Sequence, residues 1–428
     1  MNLPKFLIES RGLLNLARRL PRIFWRFGIG PGRMEKSLEK LLQITERYGV
    51  RPTLPVTAAP LRRHPGVIRR LQQRGVELAL HGLVHTDYTA LSREDHLEHM
   101  EEAAHILKSH GIRFWGARAP YMRANETTLE AGSQLHLHWD SNEVRAWDVL
   151  DDIPLSTQAL AAYRKVLSLY DARPAADRPV IPRRLHDLVE IPVSLPDDEA
   201  MVDRLGLGRQ PDAMARIWLR ILQATHQRGD LFTIQLHHER VNLCGRALEE
   251  VLRQARLLKP GVWVAPLREI TAWWKERASY RVQVSREQAG HVVTVEAGPR
   301  AVLQVRGGHV PDPGGWTAAR DRKLLLPGSR KPIVGISEGS GEGFRSFLQD
   351  EGFPYEETRQ PEDYAIAFDE PDPFPVLKEF ATLARIECVS HPLVRLARWP
   401  SGARSALAVT GDIDALTIWD FFWRLKEV

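Results

Sequence analysis

Val76-Glu77-Leu78-Ala79-Leu80-His81-Gly82-Leu83-Val84-His85 decides the reading of this chain. Its first five residues are a short, almost wholly apolar run, the pattern of a strand buried on both faces of a parallel sheet. The run ends on His81, and a second histidine, His85, follows four residues later. Two imidazoles leaving one strand end in this way can converge on a single metal ion. The spacing alone is weak, because the chain holds 16 histidines and pairs four apart arise by chance. Two capped or surface histidines are the plainer alternative, so the weight falls on what surrounds the pair.

Around this run, from about residue 34 to 275, helical and strand patterns alternate, which predicts an α/β architecture built from βα units. Helix 34–48 precedes strand 51–57, and helix 65–74 leads into strand 76–80. Ser92 caps a helix to about His110, and Ile112 to Ala117 reads as the next strand. Later come helix 211–228, strand Leu231 to Leu236, helix 246–258, strand Val262 to Ala265 and a short helix ending near Trp274. Residues 276–330 alternate with period two and are dense in Gly and Pro, which predicts an antiparallel β module. A small α/β piece is expected from 331 to about 395. Its Gly339, Gly341 and Gly343 match no phosphate-binding loop and read as turn residues. Ala406 to Val409 reads as a strand followed by a helix from Leu416 to Lys426. One βα unit cannot bury its own faces, and the front of the chain begins with a helix that lacks a strand before it. The division expected is 1–275, 276–330, 331–395 and 396–428, the last completing the first.

Composition narrows the class without naming it. The chain has 428 residues, 43% hydrophobic and 26% charged, and a formal charge of +5, which reads as ordinary globular protein. That charge is mild for the length and gives no ground for a nucleic-acid partner. Two cysteines, Cys244 and Cys388, make no disulfide framework and fit a reducing, cytoplasmic setting. The stretch from Phe6 through Phe27 is interrupted too often by arginine for an export signal. A helix packed on its own domain is expected there, in preference to one lying on a membrane surface.

Three further polar clusters follow the ends of expected strands, the edge where β/α folds assemble their sites. Arg118-Ala119-Pro120-Tyr121 sets an arginine able to grip a carboxylate beside a proline-fixed backbone. Leu236-His237-His238-Glu239 places His237 at a strand exit, where it can act as general acid or base or serve as a hydrogen-bonded wall. Thr410-Gly411-Asp412-Ile413-Asp414 carries two carboxylates two residues apart, one able to ligate metal and the other to take a proton. A helix N-cap is the plain alternative for Asp414.

Together the four clusters resemble the motif set of the polysaccharide deacetylase superfamily, the NodB-homology or carbohydrate esterase family 4 enzymes. His81 to His85 is similar to the two-histidine motif, Arg118 to Tyr121 to the RxPY motif and Leu236-His237 to the late histidine motif. The resemblance covers about residues 34–275 and the last thirty. It departs in one respect, since the aspartate motif belongs on a first strand and here stands at the opposite end, which implies a circular permutation. A domain swap, with Asp412 supplied by a second copy, uses the same contacts.

The resemblance implies a distorted (β/α) barrel of the NodB type, completed by the C-terminal strand and helix and carrying an inserted β-rich and small α/β region. It implies a divalent metal, most often Zn2+, on His81, His85 and Asp414, with Asp412 as general base and Arg118 paired to it. The backbone N–H of Tyr121 would bind an oxyanion, and His237 would protonate the leaving amine, oriented by Asp197 or Asp198. Which of Asp412 and Asp414 is ligand and which is base stays open. The activity implied is metal-dependent removal of an N-acetyl or related acyl group from an amino-sugar-containing glycan or precursor. Hydrolysis of another non-peptide amide on the same fold, an inactive carbohydrate-binding protein and a mononuclear iron oxygenase with two His and one carboxylate remain as alternatives.

Overall fold

The computed structural model describes residues 27–307, 315–319 and 321–423. Eight parallel strands build its main sheet: β1 (Thr53–Val56), β2 (Glu77–Leu80), β3 (Phe114–Ala117), β4 (Trp139–Asp140), β5 (Leu188–Glu190), β6 (Leu231–Gln235), β7 (Val262–Val264) and β8 (Ser405–Thr410). They run in the order β6-β8-β1-β2-β3-β4-β5. Strand β7 also pairs with β8, and an antiparallel segment, Arg183–Leu185, lies against β5. The result is a mixed α/β fold with a curled half-barrel sheet.

Strand β8 sits where the front of the chain lacked a strand. It pairs with the whole of β6, from Leu231 opposite Ala406 to Gln235 opposite Thr410. On its other side it meets β7 at Ser405 to Leu407 and β1 at Thr410. All six of its residues are buried, as a central parallel strand requires. Leu407 and Val409 point to the outer, helix-covered core, while Ala406 and Ala408 point inward beneath the tryptophans Trp273, Trp274 and Trp399. Small inward residues leave room for those indoles, and the alternation fixes which loop side chains face the barrel's mouth.

The helices that cover the sheet follow their local signals. Ser92 caps Arg93–Ser109 by accepting the N–H of Asp95 at 3.1 Å, and Pro211–Arg228 ends on Gly229 in the left-handed region. The helix expected over 246–258 instead begins at Val241 and runs to Leu257. Val241 and Cys244 are buried in the same outer core as Leu248, so the apolar stripe extends a turn and a half further back. Residues 142–186, unassigned from sequence, hold a helix, Thr157–Leu169, and strands of a small separate sheet.

The inserted region is sheet-rich as expected, and its pairing crosses residue 330. Arg281–Glu287, Gly290–Glu296 and Lys323–Leu326 form an antiparallel sheet, while Leu303–Arg306 pairs with the distant Leu393–Leu396. Lys331–Ile336 centres a small parallel sheet with its own core around Phe344, Phe347 and Phe353. The glycine loop there binds an internal anion: the Asp372 carboxylate accepts the N–H groups of Glu342 at 2.8 Å and Gly343 at 3.0 Å. Buried ion pairs fasten this region to the barrel, with Glu379 on Arg183, and Arg398 on Glu351 and Asp230. Among the described residues no helix is long and apolar enough to cross a membrane. The basic N-terminal helix expected over Phe6 to Phe27 lies outside the described residues save for Phe27, as does the last helix beyond Trp423.

Candidate active site

His81 leaves β2 with its backbone N–H bonded to the Val56 carbonyl at 3.1 Å, and Gly82 turns the chain at a φ of +77°. A Cβ on Gly82 would fall 2.5 Å from the Tyr88 hydroxyl oxygen, which in turn accepts the Leu83 N–H at 2.8 Å. Gly82→Ala is therefore expected to cost about 1–3 kcal/mol of folding stability, measured by denaturant unfolding, and to weaken metal binding as His85 shifts. On the opposite strand the loop after β8 is equally constrained. Gly411 passes so close to β6 that a Cβ would lie 1.9 Å from the Leu236 carbonyl oxygen. Ile413 donates its N–H to the Pro55 carbonyl at 2.8 Å and is fully buried. Asp412 and Asp414 flank it, and both carboxylates turn to the histidines.

His81 Nε2 stands 3.3 Å from Asp414 Oδ1 and His85 Nε2 3.6 Å from Asp414 Oδ2. The ligating atoms of the three residues lie within 4.8 Å of one another. The other ring nitrogen of His81 lies 2.7 Å from the Arg118 carbonyl oxygen, an acceptor, so Nδ1 must carry the proton. Burial holds the imidazole below its ordinary pKa, against the pull of Asp412. The neutral tautomer then directs the Nε2 lone pair at a carboxylate, and Nε2 makes no hydrogen bond although buried. Two acceptors facing one another are balanced by a cation between them, and two imidazoles with one carboxylate are a donor set that suits a divalent metal. The carbonyl on Nδ1 orients the ring as outer partners of ligating histidines do. The residues present therefore fit a metal ion.

Asp412 Oδ2 approaches His81 Nε2 only to 3.8 Å, because its carboxylate is held elsewhere. Oδ1 lies 3.2 Å from the fully buried guanidinium of Arg118, and Oδ2 accepts the side-chain amide of Gln235 at 2.6 Å. Burial would raise this carboxyl, but the His81 ring beside it, the charges of Arg118 and His237 and the Gln235 bond hold it at about 2. Arg118 is itself fixed by Ser141, through the carbonyl at 3.1 Å and the hydroxyl at 2.9 Å, by the Thr410 hydroxyl at 3.0 Å and by Gln235.

His237, at the exit of β6, faces the same carboxylate from the other side, its Nε2 4.0 Å from Asp412 Oδ2. Its Nδ1 lies 2.9 Å from Asp198 Oδ1, and its backbone N–H donates to Asp198 Oδ2 at 3.0 Å. Burial would lower this imidazole, yet the Asp198 charge and hydrogen bond, with Glu239 adding to them, raise it to about 9. Asp197 is occupied otherwise, accepting the Ala200 N–H at 2.8 Å, so Asp198 is the partner. Tyr121 adopts a φ of +60°, and its ring meets His85 edge-on with centroids 4.4 Å apart.

Residues 20–139, the stretch carrying His81, His85 and Arg118 to Tyr121, match the family model described as polysaccharide deacetylase. That stretch is similar to polysaccharide deacetylases. Solved structures similar to it include one from Mycobacterium smegmatis assigned as a polysaccharide deacetylase, at 21% identity and a TM-score of 0.43, covering 59% of this chain and 81% of that one. An allantoinase, PuuE, is similar at 19% identity and a TM-score of 0.42, covering 56% of this chain and 72% of that one. The peptidoglycan deacetylase PdaC from Bacillus subtilis is similar at 17% identity and a TM-score of 0.34, covering 58% of this chain and 88% of that one.

The side chains singled out from the sequence as the site lie at one edge of the sheet: His81, His85, Arg118, Tyr121, His237, Asp412 and Asp414. Both aspartates come from the same chain as the histidines. The geometry also separates their surroundings, since Asp414 lies against both histidines and Asp412 against Arg118 and His237. Sequence reasoning missed Gln235 and Ser141 and gave Thr410, the first residue of its cluster, no role; the three tie Arg118 and Asp412 into one network. Gln235 had a readable signal, a lone amide in an apolar strand, two residues before His237 and therefore on its face.

Proposed function

We propose that the chain is a metal-dependent amidohydrolase that removes an N-acetyl or related acyl group from an amino-sugar-containing glycan or glycan precursor, in the cytoplasm. The observation that carries this reading is that three ligating groups and two groups able to move protons meet at one sheet edge, in two distinct sets. His81, His85 and Asp414 would hold a divalent cation, for which Zn2+ is well suited, and the cation would supply Lewis-acid polarisation of the acyl carbonyl. Asp412 is ionised at all but strongly acid pH and takes the proton of the attacking water. Arg118 keeps that carboxylate in place and charged. By the resemblance, the backbone N–H of Tyr121 donates to the developing oxyanion. His237 gives its proton to the departing nitrogen as the C–N bond breaks, leaving a free carboxylic acid and an amine. The place of β8 between β6 and β1 is the one that a circularly permuted chain of this fold would give its aspartate strand.

The test is acetate release from N-acetylated chitooligosaccharides by the full chain. Activity is expected to vanish with a chelator and return when Zn2+ is added back. Turnover confined to small linear or cyclic amides would overturn the glycan reading, and undiminished activity in chelator would overturn the metal.

The pH profile gives an independent check. His237 must be protonated to act as the acid, and its pKa near 9 keeps it so through neutrality, so kcat is expected to fall as pH rises through about 9. In Asp198→Asn the raising charge is gone while burial still lowers the ring. The alkaline limb should then move toward the ordinary imidazole value of about 6.5 or below it. A limb that stays near 9 in the variant removes His237 from this role.

A further inference from the structure

Of β4 and the residue that follows it, the site above uses Ser141 alone. Strand alternation sends Trp139 into the barrel, against Ala79 and Val189, and Ser141 to Arg118, and it turns Asp140 to the sheet's outer face. Glu190 on β5 stands beside Asp140 in register, and both are buried. Over this pair lies a cavity of about 950 Å³, a volume typical of small-molecule sites.

Asp140 Oδ1 accepts the Ser141 N–H at 3.1 Å and the Asn142 side-chain amide. Oδ2 makes no hydrogen bond, although the residue is only 3% exposed. A buried acceptor in this state at a cavity wall calls for a donor from whatever fills the cavity. Burial raises both carboxyls above their ordinary range, and the charge of Asp140 raises Glu190 further, which favours a proton on the pair and so a donor beside the acceptors. The wall's guanidinium groups already hold partners, Arg178 on Glu143 and Arg123 on Asp87 at 3.1 Å. With Arg145 also on Glu143 and Arg173 on Asp171 at 3.0 Å, the wall leaves no arginine free to grip an anion. It offers donors and acceptors together, with Leu169 and Leu377 beside them. A hydroxyl both donates and accepts, so a neutral polyhydroxylated ring satisfies such a wall and lays its C–H faces on the leucines.

We propose that this cavity is a second saccharide site, on the face of the sheet opposite the metal site, taking one neutral sugar ring of a glycan. The choice of sugar rests on the glycan reading above. Two features make the cavity more than a surface hollow. The inserted region supplies part of its rim through Val376 and Leu377, fixed by the Glu379–Arg183 pair. Asn142 also links the cavity to the catalytic face, donating to Asp140 Oδ1 while its own Oδ1 accepts the Ala119 N–H at 2.7 Å.

The experiment is titration calorimetry of the full chain with N,N′-diacetylchitobiose, in the wild type, Asp140→Asn, Leu377→Arg and His81→Ala. Two binding classes are expected in the wild type. Asp140→Asn and Leu377→Arg each weaken one class by about tenfold or more, and His81→Ala weakens the other. Leu377 is 78% exposed, so its variant tests the site without threatening the fold. A single class lost in His81→Ala, or a titration unchanged by both cavity variants, overturns the proposal. Acetate release, assayed separately, distinguishes this from failure of the deacetylase reading, which would abolish turnover and leave the cavity's binding class intact.

Discussion

Replacing Asp412 by Asn is expected to lower kcat/KM by about 10²–10⁴-fold, the usual contribution of a positioned general base, while the protein still binds one equivalent of metal. That loss corresponds to about 3–5 kcal/mol of transition-state stabilisation. The argument turns on what each aspartate touches. Asp412 is engaged by Arg118 and Gln235 and stays 3.8 Å from His81, so its amide removes a proton acceptor and leaves His81, His85 and Asp414 in place. Asp414→Ala should give the complementary result, with metal content falling in step with activity, because Asp414 alone lies against both histidines. Metal analysis of the purified variants beside acetate release separates the two. If Asp412→Asn loses its metal and Asp414→Ala keeps it, the roles of the two carboxylates are exchanged. If Asp412→Asn turns over at nearly the wild-type rate, no base acts at this position.

How much of this was legible in the sequence depended on the range of the interaction that fixes each residue. His81, Arg118, His237 and Asp412 each follow a short apolar run, and a parallel sheet sends the exits of all such runs to one edge, so their meeting could be read without knowing the strand order. The missing strand could also be inferred, because a front half that opens on a helix and an isolated C-terminal βα unit each lacked what the other supplied. Residues 142–186 gave less. Their strands are two or three residues long, too short for a period to show, and their placement comes from long-range pairing. The choice between Asp197 and Asp198 was equally hidden, since adjacent carboxylates differ only in which face of the chain they occupy. Ser141 was invisible for another reason. A serine after a strand is common, and its part in holding Arg118 depends on β3 and β4 lying side by side.

Arg118→Met should be the most damaging single change to the fold near the site, costing about 3–5 kcal/mol in denaturant unfolding of the metal-free protein. Methionine preserves much of the side chain's volume, so the loss is electrostatic. The guanidinium has no exposed surface and serves Asp412, Gln235, Thr410 and Ser141 at once. Without it the Asp412 carboxylate is buried with its permanent positive partner gone, and its pKa rises from about 2. The pH dependence carries the same sign. A depressed folded-state carboxyl contributes stability above its unfolded pKa of about 3.9, and that contribution is lost as pH falls toward 2. The wild-type protein should therefore lose stability across that window, and Arg118→Met should lose much less there because it began without the contribution. A double variant with Asp412→Asn removes the stranded charge, so its destabilisation should fall well short of the sum of the two single changes, the signature of direct coupling. Additive losses would mean that the two side chains stabilise the fold independently, and the pairing that keeps Asp412 ionised would then have to be sought elsewhere.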